Sequence, residues 1–422
     1  MNFWPQSCHS ILRPLKRVCE INPEKLSETT DPNFEFEYID IGNVSSGGGV
    51  LGRELLRFQD SPTRARMLVQ HRDVIFSTVG VYPRATAYIG PEASNWVVST
   101  GFAVLRCNSK LYPRFLYHVI QSTPFMNCAI AASTGVIFKA TNAADFANIK
   151  IPVPSIETQK TIADFLDHET TYIDQLMESK VALCKLLEER LKSKIASKFV
   201  FSRNAPRQPL HRFCKILTGK TPKRADKSNF STNHGLPWAK PADLGSFVPI
   251  NRTEEMLTEK GCKGQVIVNA NTVLVNGIGA GIGKVGFAKY KMSYNQQIHG
   301  IMQFKKLLDD RFLFFFMFTK KGEIISLAND TTIPIINSER LGRILVPLLS
   351  IDIQKNIVTD LEIAIEDTCR LFNLLDTSIL KFGELRLAII LATVTGQIDA
   401  SKWRKERQID RHLEQLEEET SE

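Results

Sequence analysis

The sequence predicts an α+β protein: two tandem mixed α/β units separated by two long antiparallel helices, a coiled-coil spacer, with a pseudo-two-fold internal duplication. Three observations support this. The stretch Ser155-Ile156-Glu157-Thr158-Gln159-Lys160-Thr161-Ile162 returns 195 residues later as Ser350-Ile351-Asp352-Ile353-Gln354-Lys355-Asn356-Ile357. Far upstream, Leu15-Lys16-Arg17-Val18-Cys19-Glu20-Ile21 answers to Leu210-His211-Arg212-Phe213-Cys214-Lys215-Ile216 at the same offset, so a whole folding unit is repeated. Each copy also divides into a part with short β-branched and aromatic runs and a part of about 45 residues with helical periodicity.

In the first copy the runs Phe36–Ile41, Val74–Ser77, Ala85–Ile89 and Gly101–Leu105, punctuated by Gly, Pro and Asn, read as strands. Their counterparts are Leu236–Lys240, Val273–Asn276, Val285–Tyr290 and Gly300–Phe304. A helix is predicted at Arg114–Ser122 and again at Arg311–Thr319, the two opening Arg-Phe-Leu-Tyr and Arg-Phe-Leu-Phe.

After Pro152-Val153-Pro154 the character changes, and no Gly or Pro occurs from Ile156 to Val200. Ile162, Leu166, Ile173, Leu176, Leu183, Leu187, Leu191 and Ile195 follow steps of 3, 4 and 7, one stripe on a long helix. Pro154-Ser155 is a start signal, since Ser caps a helix and Pro keeps the preceding residue extended. The second helix, Ile351 to about Thr395, carries Ile357, Leu361, Ile365, Leu371, Leu375, Ile379, Phe382 and Ile390; Gly383 interrupts it and Gly396 is placed as its C-cap. Each helix would span about 65 Å. A stripe of this length requires cover, and the duplicated helix carries the matching one. The alternative is two separate intradomain helices, against which the length argues, since globular helices average about 11–12 residues. The expected limits are 1–150 and 206–346 for the globular units, 151–205 and 347–400 for the helices, and 401–422 for a charged tail.

A chain of 422 residues holds two or three domains, and 43% apolar with 23% charged residues is ordinary for a soluble protein. The net charge of +8 favours a polyanionic partner. The excess is uneven, roughly +2 over residues 15–150 and roughly +10 over 210–345, which gives the second copy the stronger attraction for phosphate. Eight cysteines are scattered with no C-x-x-C pair, so reduced thiols in a cytoplasm are expected, with Cys19 and Cys214 in buried packing. Met1 to Ser10 holds no continuous apolar run, and Phe312–Phe318 and Leu387–Leu391 fall far short of the roughly 20 residues of a membrane span.

The run Gly277-Ile278-Gly279-Ala280-Gly281-Ile282-Gly283-Lys284 fails the P-loop pattern, since Ile278 stands where Gly is required and Val285 where Ser or Thr is required. Two readings remain open: a plain hairpin turn, or a loop whose N–H groups and Lys284 meet DNA phosphate. The first copy has its own glycine loop, Ser45-Ser46-Gly47-Gly48-Gly49-Val50-Leu51-Gly52-Arg53, beside a cluster containing Arg57, Arg64, Arg66 and Arg72. The planar arginine fork suits base edges and phosphates, so Arg53, Arg57, Arg64 and Arg66 are DNA-binding candidates. In the second copy the candidates are Lys220, Lys223, Arg224, Lys240, Lys284, Asn295, Gln296 and Gln297. The last three align near Val98-Ser99-Thr100, and Asn and Gln can bond adenine bidentately, although a surface turn explains them equally well. No catalytic or metal-ligand constellation is evident: there is no Asn/Asp-Pro-Pro-aromatic motif, and Cys8-His9 is an isolated pair.

These residues resemble the specificity (S) subunit of type I restriction–modification systems. Pro154–Ile162 opening the first long helix and Leu391-Ala392-Thr393-Val394-Thr395-Gly396-Gln397-Ile398-Asp399 closing the second carry the resemblance. Thr218-Gly219-Lys220-Thr221-Pro222, Thr63-Arg64-Ala65-Arg66, Asp73–Thr78 and Ser99–Val104 support it. It implies two target recognition domains, each reading half of a split asymmetric DNA site, in a subunit that is not itself an enzyme. It implies partners: two methyltransferase (M) subunits using S-adenosylmethionine on adenine, and restriction (R) subunits using ATP and Mg, with no cofactor of the chain's own. The subunit-interface candidates are Glu157, Gln159, Ile162, Asp352, Gln354 and Ile357. The first helix departs from the family in closing with Ala196-Ser197-Lys198-Phe199-Val200, and the second in opening with Asp352-Ile353-Gln354. The alternatives weighed are a single-chain DNA methyltransferase or nuclease, and a helical scaffold that binds no DNA.

Overall fold

The architecture is that of a computed structural model, described for residues 3–5, 10–45, 47–79, 85–134, 140–141, 146–200, 205–329 and 333–403. Ser46 of the first glycine loop, the Cys8-His9 pair and residues 404–422 of the charged tail lie outside the described residues. Two compact units emerge, one of residues 1–180 with 377–422, the other of residues 181–376.

In the first unit the chain runs β1 (Leu12–Pro14), β2 (Cys19–Ile21), β3 (Glu35–Ile39), β4 (Glu54–Arg57), β5 (Ala65–Val69), β6 (Val74–Ser77), β7 (Thr86–Tyr88), β8 (Trp96–Ser99) and β9 (Phe102–Cys107). It continues through α1 (Pro113–Gln121), α2 (Thr123–Ala131), β10 (Ser133–Thr134), β11 (Ala140–Thr141) and β12 (Lys150–Pro152) into α3 (Ile156–Val200). One antiparallel sheet has the order β2-β9-β6-β7; a second has the order β4-β3-β8-β5, with β3 and β8 parallel. Strand β6 is buried along its whole length, which is why Val74-Ile75-Phe76 reads as a continuous apolar run without alternation. The first sheet packs on α1 and α2, with Ile162 and Leu166 of α3 sealing the same core.

The second unit repeats this plan. Its elements are β13 (Arg207–Pro209), β14 (Cys214–Thr218), β15 (Phe230–Ser231), β16 (Leu236–Ala239), β17 (Met256–Leu257), α4 (Glu259–Cys262), β18 (Ile267–Val268), β19 (Thr272–Asn276), β20 (Val285–Ala288), β21 (Met292–Tyr294) and β22 (Ile298–Gln303). They are followed by α5 (Asp310–Thr319), α6 (Lys321–Ser326), α7 (Ser338–Leu341), β23 (Leu345–Pro347) and α8 (Ile351–Val394). The order β14-β22-β19-β20 matches β2-β9-β6-β7, and the parallel pair β16–β21 matches β3–β8. Its core gathers α5 with Leu191, Ile195 and Phe199 of α3 and Val358, Leu361 and Ile365 of α8.

Both long helices form, as the Gly- and Pro-free stretch of the first and the periodic apolar residues of the second predict. In the first unit they run antiparallel: Asp174 meets Arg386 at 3.0 Å, and Lys180 lies 5.4 Å from the Phe382 ring. In the second, Lys198 pairs with Asp360 at 2.6 Å. Two expectations need correction. The stripe is not buried throughout, since Leu183 and Leu371 are 43% and 44% exposed; apolar burial is concentrated where the helices meet the two cores. Gly383 does not interrupt α8, because intrahelical bonds continue through a glycine, which only weakens the helix. Gly396 does end it, with φ +80°: Gln397 N–H donates to Ala392 and Gly396 N–H to Thr393, a Schellman cap.

Candidate nucleic-acid interface

In the first unit the β3–β4 ladder sets Glu35 opposite Arg57, and the pair closes at 3.2 Å. Arg53 bonds Glu37 at 2.9 Å and lies over Trp96, its Cζ 4.5 Å from the ring centre. Arg64 reaches Asp40 at 2.5 Å and the Tyr38 hydroxyl at 3.3 Å, and this hydrogen bond raises its pKa further. Arg66 stacks on Phe58 and donates to the Ala65 carbonyl. The arginine cluster is therefore partnered rather than bare. The three ion pairs are exposed and screened by solvent, so each holds its carboxylate only weakly.

The second unit makes a similar arrangement from different residues. Arg224 lies 4.8 Å from the rings of both Phe230 and Trp238 and donates to both Glu255 oxygens at 3.0 Å. Lys240 meets Glu254 and Glu255 at 3.1 Å each, and although desolvation acts against it, these bonds raise its pKa. Lys220, Lys223 and Lys284 are exposed and make no ion pair among the described residues. Asn295 is 8% exposed, contrary to the expectation that it meets a base: its carbonyl accepts from Gln297 N–H and its amide donates to the Gln297 side chain. Gln296 is exposed and accepts from the Thr221 hydroxyl. The run Gly277–Lys284 is the hairpin turn between β19 and β20. Gly279 and Gly283 have φ +76° and +78°, and the Gly279 N–H donates to Pro334.

The interface candidates on the long helices divide. Glu157 and Asp352 are exposed, and Ile357 is half-buried against the second core. Ile162 is buried in the first core. Gln159 and Gln354 are fully buried, so neither faces a partner, which corrects that expectation. Gln159 accepts from Tyr112 N–H and donates to the carbonyls of Lys110 and Pro154; Gln354 accepts from Asp309 N–H and donates to Leu307 and Leu349. Each ties the loop entering α1 or α5 to the start of its long helix. The duplicated glutamine marks a duplicated clamp.

Several functional-looking groups escaped the sequence reading. Trp96 and Trp238 carry the stacked arginines, and only four Trp occur in the chain. Arg114 pairs with Asp167 at 2.7 Å, where His118 also bonds at 2.6 Å; in the second unit Arg311 pairs with Glu362 and lies within 5 Å of three Phe rings. The repeat was the available signal, since Arg114 and Arg311, 197 residues apart, stand at the start of the duplicated helices. An open cleft of about 400 Å³ lies beside Arg72, Arg106 and Lys160. Among the described residues no group of three or more His, Cys, Asp or Glu is placed to hold a metal ion, and no helix is long and apolar enough to cross a membrane.

Comparison with known proteins places this geometry. The chain is 24% identical over 282 residues to the MjaX type I restriction enzyme specificity subunit of Methanocaldococcus jannaschii, covering 63% of this chain. It is 25% identical over 173 residues to the HindI specificity subunit of Haemophilus influenzae, covering 40% of this chain. The matches span 64% and 36% of those relatives' own lengths. A solved chain of a type I R-M system shares the fold, with TM-score 0.70 at 21% identity over 92% of this chain and 98% of that one. The family model for the type I restriction modification DNA specificity domain matches residues 13–182 and again 209–373, most of both copies, and the chain belongs to that family.

Proposed function

We propose that this chain is a non-catalytic, sequence-specific DNA-binding subunit of a type I restriction–modification complex. Each unit reads one half of a bipartite asymmetric site, and adenine methylation and restriction are carried out by partner M and R subunits that supply S-adenosylmethionine, ATP and Mg chemistry. The observation that carries the reading is one sheet plan built twice with different polar residues. Stacked Arg53 with Arg57, Arg64 and Arg66 occupies the first unit; Arg224, Lys240, Lys284, Gln296 and Gln297 occupy the second. Two copies of one surface with different donors and acceptors would read different bases. Our limits for recognition remain 1–150 and 206–346, with the helices of 151–205 and 347–400 as spacer and a tail beyond 401. Glu157, Asp352 and Ile357 are the interface positions retained, and a cytoplasmic location goes with this reading.

The test is the methylome of the host with and without the gene for this chain. A two-part motif with an unread gap, lost on deletion, is the expected result. Methyl transfer or cleavage by the purified chain alone would instead favour an enzyme in one polypeptide.

A further inference from the structure

Between β3 and β4 the first unit carries the glycine loop, and between β16 and β17 the second unit carries its counterpart. The register aligns them: Ile39 and Ala239 occupy the same place in the parallel pairs, and Asp40 with Asn43 makes the turn that Lys240 with Asp243 repeats. Gly47 then corresponds to Phe247. In the second unit Phe247 is an apolar plug, 4.4 Å from Phe318 in ring centres and clustered with Leu191, and its carbonyl lies 3.5 Å from the Arg311 guanidinium. In the first unit Gly47 has no side chain to form such a plug. Its loop instead receives a hydrogen bond from Arg386 of α8, which stands where the duplication places Leu191 on α3.

Arg386 is 8% exposed and bonded through each guanidinium nitrogen: Nη2 donates to the Gly47 carbonyl at 2.8 Å, Nη1 to the Gln121 side chain at 2.9 Å, and Nε to Asp174 at 3.0 and 3.2 Å. A buried charge with each guanidinium nitrogen bonded and a carboxylate partner fixes geometry strongly, because a shift would break one of these bonds in a site shielded from water. Gly48 sits so close to the Tyr117 hydroxyl that a Cβ would stand 1.8 Å from it, and its φ is +100°. The loop's other N–H groups turn inward, Gly49 to Thr86 and Gly48 to Ser45. Its outer arm carries Leu51, 73% exposed, and Arg53.

We propose that Arg386 is a positioning residue for DNA recognition by the first unit: through the Gly47 carbonyl it fixes the loop that presents Leu51 and Arg53 to the duplex. The proposal rests on the reading above that this unit binds DNA. It makes a residue of the closing helix decisive for one half-site, although it touches no base itself.

The experiment uses the full chain, purified with the subunits that accompany it, and a randomised duplex pool whose bound members are sequenced. Wild type should return a two-part motif. Arg386→Lys keeps a cation for Asp174 but lacks the arm to Gly47. Its discrimination against mismatches in the first unit's half, about 5- to 150-fold per base pair for ordinary readout, should fall below about twofold, with the other half unchanged. Retention of that other half reports a folded chain, a result that mere loss of stability would not give. Gly48→Ala should lose the same half by the same route, whereas Asp174→Asn, which leaves the Gly47 bond, should keep both. Both halves retained in Arg386→Lys, or both lost in Arg386→Lys and Gly48→Ala alike, overturns the positioning role. A wild-type chain that returns no two-part motif overturns the DNA reading and this inference with it.

Discussion

His118 shows how one substitution separates the two copies. Its ring is 1% exposed; Nε2 meets Asp167, while Nδ1 is buried with no hydrogen-bond partner among the described residues. Desolvation dominates and lowers its pKa, aided by Arg114 and Arg386, while the bond to Asp167 opposes the shift. The unfolded chain therefore binds a proton near pH 6.5 that the native ring refuses. Stability attributable to this site is full above that pH and is lost as pH falls toward the depressed native value, by up to about 1.4 kcal/mol per pH unit. Phe315 occupies the equivalent place in the second unit. Replacing His118 with Phe should remove this acid sensitivity, with Asp167 still held by Arg114. Urea unfolding at pH 8 and pH 5.5 checks it: the difference between the two pH values should shrink in the variant, and an unchanged difference would locate the sensitivity elsewhere.

At the scale of elements, the long helices owe their existence to sequence and their burial to the cores. Ile162 and Leu166, or Ile390 and Val394, are covered by the first core, whereas Leu374 and Leu380 on the same helix α8 are 67% and 70% exposed. Gly383 sits inside α8, and a Cβ there would meet nothing within 4 Å. Gly383→Ala should therefore stabilise the chain by about 0.5–1 kcal/mol, since it removes backbone freedom from the unfolded state without a clash. Thermal melting of the full chain measures it; a destabilised variant would mean that the glycine serves a contact with another molecule.

For the whole molecule the prediction concerns division of labour. Arg64 and Arg66 belong to one unit, and their replacement by Ala should weaken reading of one half-site while leaving the other. Equal weakening of both halves would defeat the assignment of recognition to separate units. Duplex affinity should also fall steeply with salt, by about 10³-fold between 50 and 200 mM if about six phosphates are neutralised. A shallow slope would point to a scaffold that binds protein instead. The uneven charge, roughly +2 against +10 in the two copies, predicts that the second unit carries more of that slope.

The duplication, the two long helices, their Ser155 and Gly396 boundaries and the central strands were all legible in the sequence, because each is set by local periodicity or by a residue with a narrow conformational role. What the sequence could not show was which side chains meet. Gln159 and Gln354 looked like surface signatures because their repetition was visible; only the folded chain brings Tyr112 and Asp309 N–H to them, 47 and 45 residues away. The arginines looked like a bare basic patch because Glu35, Glu37 and Asp40 become their partners only through strand pairing and the turn after β3. Arg386 and Gly47, 339 residues apart, are joined by packing alone. Periodicity is encoded locally, whereas the pairing of buried polar groups depends on contacts between distant segments.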